Sequence, residues 1–83
     1  MKLLCDQMLG TLAKWLRILG FDTFNANSEL TDEELLSIAE REKRVIISRD
    51  KKLILRGRRS NIDVIEVKSV DLDLQLNQVL EHL

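Results

Sequence analysis

The sequence predicts an α/β domain built on a parallel four-stranded sheet of strand order 2-1-3-4, with helices in the intervals. Two observations predict it. Short apolar runs at Lys2–Cys5 and Val45–Ser48 lead into an aspartate, Asp6 directly and Asp50 after Arg49, and each aspartate opens a helical pattern. Stretches of period 3.6 alternate with strand-like runs along the whole chain. Alternation of that kind implies right-handed crossovers between parallel strands, and the simplest doubly wound order sets strands one and three side by side, about 4.8 Å apart.

Each element follows from its residues. After the first strand, Met8, Leu12, Trp15, Leu16 and Leu19 recur at helical spacing, with Thr11, Lys14 and Arg17 on the other side, and Gly20 stops the helix. Phe21–Phe24 reads as the second strand, followed by a polar loop from Asn25 to Glu29. Thr31 and Glu34 then form a capping box, with Leu30 and Leu35 as its hydrophobic staple, so the second helix starts at Asp32 and runs to about Glu42. Val45-Ile-Ile is the β-branched run of a strand covered on both faces. Asp50 caps a third helix that carries Leu53 and Ile54 and is expected to end near Gly57. Val64–Val67 is a fourth strand, placed at an edge by Glu66, and Leu72, Leu76, Val79, Leu80 and Leu83 define a last amphipathic helix. Trp15, Phe21 and Phe24 are read as core, with no aromatic platform for stacking bases.

Composition narrows the function. The chain has 83 residues, no proline and three glycines, so nothing divides it and residues 1–83 form one domain. No apolar run approaches the roughly 18 residues of a membrane helix, and the first residues lack the apolar stretch of a secretory signal, so a cytoplasmic protein with no membrane partner is expected. One cysteine, Cys5, and one histidine, His82, exclude a zinc site by spacing and leave Cys5 as a buried strand residue. The net charge of −1 hides a block from Arg41 to Arg59 with nine of the thirteen basic residues against only Glu42 and Asp50. A polyanionic partner and a solvated helix face account for that block equally well.

The two strand-end aspartates carry the chemistry. In open parallel sheets ligands bind beyond the carboxyl ends of the strands where strand order reverses, and Asp6 and Asp50 fall there. Asp32 and Glu33, opening the second helix, overlook the same crevice. Carboxylates in that number, with positions left for water and a phosphate, suit Mg²⁺ or Mn²⁺ and metal-assisted hydrolysis of a phosphodiester. The alternative is local, since aspartate caps helices and acids in a first turn favour the helix dipole. Glu34 and Asp22 are read as structural. Arg49, Lys51, Lys52 and Arg56 are placed to hold flanking phosphates, with Arg17 a further candidate that a surface arginine's ordinary packing also explains. A receiver-like phosphoacceptor is disfavoured, because the paired early acids and the late strand-end lysine are missing.

The stretches Cys5-Asp-Gln-Met-Leu-Gly10, Leu12-Ala-Lys-Trp-Leu-Arg17, Leu19-Gly-Phe-Asp-Thr23, Asp32-Glu33 and Ser48-Arg-Asp50 together resemble the Mut-seven C-terminal ribonuclease domain, a PIN-like family. The resemblance runs in order over nearly the whole chain. It implies a three-layer α/β/α PIN-like fold, metal-dependent endoribonuclease activity on RNA, and metal-binding acids at Asp6, Asp32, Glu33 and Asp50, with Asp6, Asp32 and Asp50 catalytic. Three departures stand out. Many members carry a zinc ribbon after this domain, and no Cys pair for one occurs in these 83 residues. Lys52 stands where related proteins often place a further acid, which weakens the case for a second metal, and Thr11 replaces a common basic residue. The competing reading is a catalytically weak RNA-binding or toxin-like interaction module of the same fold. Exposed sheet edges make a homodimer a candidate assembly, and an antitoxin or fused partner is another.

Overall fold

A computed structural model describes residues 1–83. Its elements are β1 (Lys2–Cys5), a 3₁₀ turn (Gln7–Leu9), α1 (Gly10–Ile18), β2 (Asp22–Asn25), α2 (Asp32–Glu42), β3 (Val45–Ser48), α3 (Lys51–Arg59), β4 (Val64–Glu66) and α4 (Leu72–His82). The four strands form one all-parallel sheet of order β2-β1-β3-β4. Reversal of strand order therefore falls between β1 and β3, whose registered pairs run from Leu3 with Val45 to Cys5 with Ile47.

Side chains alternate across a strand, which explains why the central strands are apolar throughout. Leu3, Cys5, Ile47 and Ile65 join Leu12, Leu16 and Val79 in one core, whereas Leu4 and Ile46 join Leu35, Ala39 and Leu53 in another. The sheet is thus covered by α1 and α4 on one face and by α2 and α3 on the other, a three-layer arrangement consistent with a PIN-like fold. No helix is long and apolar enough to cross a membrane.

Several boundaries differ from the sequence expectations. A 3₁₀ turn intervenes before α1, and the buried face of that segment is Leu9, Leu12, Ala13 and Leu16. Met8, Trp15 and Leu19 lie beside this face and stay exposed, Trp15 by 42%, so the aromatic read as core is half in solvent. β2 begins at Asp22 because Phe21 is consumed in closing α1: its N–H donates to the Leu16 carbonyl while Gly20 takes φ of +99°. α3 runs through Gly57 to Arg59, and Asn61, at φ of +59°, ends it instead. In α4 the buried positions are Gln75 and Val79, with Leu80 and Leu83 exposed. The capping box of α2 forms as expected, with the Thr31 hydroxyl accepting from the Glu34 N–H at 3.1 Å and the Glu34 carboxylate accepting from the Thr31 N–H at 3.0 Å.

Candidate active site

Asp6 and Ser48 each stand one step beyond the last registered pair of β1 and β3, Cys5 with Ile47. Both side chains therefore point to the same face, towards α2 and α3. The Ser48 hydroxyl donates to Asp6 Oδ2 at 2.5 Å and accepts from the Asp50 N–H at 2.9 Å. Ser48 is fully buried and Asp6 only 7% exposed. One hydroxyl thus couples the end of β1 to the turn that carries Asp50. In the sequence Ser48 closes an apolar run and opens the Ser48-Arg-Asp50 segment with no role assigned to it, and its spacing two residues before Asp50 is the available signal.

Both aspartates also act as caps. Asp6 Oδ1 accepts from the Met8 N–H at 3.0 Å, and Asp50 Oδ1 accepts from the Lys52 N–H at 2.9 Å. Capping does not exhaust them. An ionised carboxylate offers about four lone-pair sites, of which these bonds use two on Asp6 and one on Asp50. Asp50 is exposed, and its Oδ2 takes no hydrogen bond from the protein.

Asp6, Asp32 and Asp50 line a single cleft of about 100 Å³, together with Asn27, Leu35 and Leu53. The staple residues Leu30 and Leu35 form part of its wall, so the same contacts that set the start of α2 bring Asp32 to the rim. Glu33 is not among the lining residues; it is exposed and faces Arg56. Arg56 reaches from α3 to both acids of α2, at 3.8 Å from Asp32 and 3.4 Å from Glu33. Hard oxygen donors of this kind suit Mg²⁺ or Mn²⁺. As the side chains stand, no group of three or more His, Cys, Asp or Glu is close enough to hold a metal ion.

The basic residues divide by position. Lys51 pairs with Glu66 at 2.8 Å, while Arg49 and Lys52 are exposed at the strand-end turn without an ion pair. The Arg17 Nε donates to the Thr23 carbonyl at 2.9 Å, tying α1 to β2 away from the acidic cleft. Arg44, counted in the basic block, lies at the far end of the sheet with 10% of its side chain exposed. It donates to the Leu3 and Asp22 carbonyls and to the Asp22 and Glu42 carboxylates. Burial works against its charge, but the hydrogen bonds to Glu42 and Asp22 outweigh that and hold the guanidinium above its ordinary value. A hollow of about 240 Å³ beside it is lined by residues that serve the fold, Arg44 through its side chain and Asn61 and Asp63 through their backbones. Cys5, next to Asp6, has its thiol pushed up to about 12 by burial first and then by the Asp6 charge, with Arg17 pulling the other way. It is a neutral packing group at neutral pH, neither nucleophile nor soft-metal ligand.

An all-parallel sheet of order 2-1-3-4 between two helical layers is consistent with a PIN-like α/β domain, and three aspartates line a cleft at its switch point. The chain belongs to the Mut7-C RNAse domain family, whose sequence model matches residues 1–83, and it is accordingly a ribonuclease-type domain. Among curated proteins and among solved structures nothing matches the chain.

Proposed function

We propose that this chain is a metal-dependent endoribonuclease that hydrolyses RNA phosphodiester bonds at the cleft of Asp6, Asp32 and Asp50. The observation that carries the reading is that three carboxylates from three separate elements line one cleft at the sheet's switch point. Family membership supports RNA as the substrate. Asp6 is held rigidly by Ser48 and the Met8 N–H, and Asp50 presents an unengaged oxygen. A Mg²⁺ or Mn²⁺ ion bound by these oxygens would supply an activated water and neutralise charge on the phosphate. Leu35 and Leu53 dry the inner wall, strengthening electrostatic interactions at the carboxylates. Arg49 and Lys52, free of ion pairs, are available for phosphates beside the scissile one.

A second reading rests on a specific observation: with Asp32 turned to Arg56, the acids form no three-ligand group. In that reading the chain is an RNA-binding module of the same fold with weak or no turnover. One experiment separates the two. The chain and its Asp6→Asn and Asp50→Asn variants are incubated with labelled single-stranded RNA and Mn²⁺ or Mg²⁺, and the Tm is followed against metal concentration. The nuclease reading expects cleavage that falls in both variants by more than the roughly 10–100-fold typical of outer-shell partners, with a metal-dependent rise in Tm lost in parallel. RNA binding without turnover and a Tm indifferent to metal would favour the module. Cleavage unchanged in both variants would remove the acidic site from the reaction.

A further inference from the structure

A second cleft, of about 300 Å³, opens on the other side of the Asp50 turn, between the ends of β3 and β4, and is lined by Arg49, Lys51, Glu66, Val67 and Lys68. Asp50 therefore stands between two hollows of opposite character: its own side chain lines the acidic one, and its sequence neighbours Arg49 and Lys51 line the basic one. Three cations surround a single carboxylate here. Glu66 accepts from Lys51 Nζ at 2.8 Å. Its carboxyl is held below its ordinary value first by that hydrogen bond, against a smaller opposing effect of burial, and then by the charges of Lys51, Lys68 and Arg58.

The floor of this cleft is built. After β4 the chain leaves the sheet, yet Gln78 of α4 clamps it from below, donating through Nε2 to the Glu66 carbonyl and accepting through Oε1 from the Lys68 N–H at 3.2 Å. Val67, in the middle of the clamped segment, is 2% exposed and its N–H donates to the Ser48 carbonyl at 2.9 Å. Lys68 is thus fixed at its backbone while its side chain is exposed.

We infer that this cleft is a phosphate subsite, in which Arg49, Lys51 and Lys68 hold a phosphodiester group of a single-stranded RNA adjacent to the one lodged at the aspartates. The inference deepens the ribonuclease reading and rests on it for the identity of the strand. Glu66 acts there as an internal counter-anion: it keeps Lys51 extended over the cleft until a phosphate shares the cation. The strand's path follows, from the acidic cleft beside α2, over Asp50, to the edge of the sheet at β4.

The test measures binding in the absence of catalysis. A fluorescently labelled single-stranded oligoadenylate is titrated with the intact chain in EDTA at several salt concentrations and read by anisotropy. Arg49→Gln and Lys68→Gln are each expected to weaken binding about three- to tenfold and to lower the salt slope by about one. Glu66→Gln, which frees Lys51 and removes a repelling charge, is expected to tighten it. Lys2→Gln, at the opposite end of the sheet, is the control and leaves affinity within about twofold, the scale of a remote surface charge. Gln78→Ala, which unties Lys68 without altering any charge, is expected to weaken affinity with the salt slope kept. Inorganic phosphate should compete only at millimolar levels. The subsite is overturned if the chain does not bind the oligonucleotide, if Arg49→Gln and Lys68→Gln behave as Lys2→Gln does, or if Glu66→Gln weakens binding. Cleavage left unchanged by Asp6→Asn and Asp50→Asn would overturn the catalytic reading alone and leave these affinities standing.

Discussion

Ser48 is the residue on which the candidate site turns. Its hydroxyl is shared between the Asp6 carboxylate and the Asp50 N–H, so one oxygen atom joins two aspartates 44 positions apart, beside the backbone bond from the Asp6 N–H to the Ile47 carbonyl at 3.3 Å. Removing it leaves a buried carboxylate with only the Met8 N–H and leaves the Asp50 N–H without its acceptor. Ser48→Ala is therefore expected to lower unfolding free energy by about 1–3 kcal/mol, the cost of unsatisfied buried polar groups, measured by urea denaturation. A cost near zero would mean that the bond contributes nothing and that Asp6 is positioned by its cap alone. The two aspartates were legible from sequence because each follows an apolar run. Ser48 was not, because a small polar residue at a strand end has many uses, and only the one-step register between β1 and β3 reveals this one. Ion pairs were hidden for a similar reason: Lys51 with Glu66 and Arg56 with Glu33 join residues 15 and 23 apart, and a one-dimensional charge count registers neither.

At the scale of elements, what reads clearly from sequence is what is encoded locally. Helix α2 spans the expected residues because its capping box and staple lie within six positions of one another. Helix α1 is present where expected and buries Leu12 and Leu16 as expected, but its inward face is completed by Leu9 and Ala13 and not by Met8, Trp15 and Leu19. Apolar residues flank Leu12 and Leu16 on both sides, and periodicity alone does not say whether Met8, Trp15 and Leu19 or Leu9 and Ala13 join them against the sheet. Gly57, placed by the sequence near the end of α3, marks a close approach and not a stop: a Cβ there would meet Val64 Cγ2 at 2.8 Å, where α3 packs on β4. Its value lies in the missing side chain. Gly57→Ala gains about 1 kcal/mol of helix propensity but presses a methyl group against a β-branched neighbour, at a cost of about 1–3 kcal/mol. A net loss of stability is expected in thermal or urea unfolding. In a Val64→Ala background the same change should cost less or turn favourable, and equal effects in both backgrounds would show that the contact is not the reason for the glycine.

Across the whole molecule the two ends of the sheet have separate work, and the basic block from Arg41 to Arg59 is split between them. Read as one run, its nine cations point to a polyanion. Folded, Arg44 is carried to the starting end of the strands, where it ties β1 through the Leu3 carbonyl, β2 through Asp22 and the last turn of α2 through Glu42, and lies 5.9 Å from the Phe24 ring centroid. Arg49, Lys51 and Lys52 are carried to the finishing end, around Asp50. That division follows from strand polarity: β3 enters at Val45 beside Arg44 and leaves at Ser48 beside Arg49. The two arginines should therefore respond oppositely to substitution. Arg44→Ala strips charge-assisted hydrogen bonds from three elements and is expected to cost about 2–4 kcal/mol of stability, read by urea denaturation, with oligonucleotide affinity of the folded fraction unchanged. Arg49→Ala, exposed and unpaired, is expected to leave stability within about 0.5 kcal/mol while weakening that affinity. Should Arg44→Ala lower affinity as much as Arg49→Ala does in protein that remains folded, the nucleic-acid surface would have to extend to the opposite edge of the sheet, and the acidic cleft would no longer mark where the strand lies.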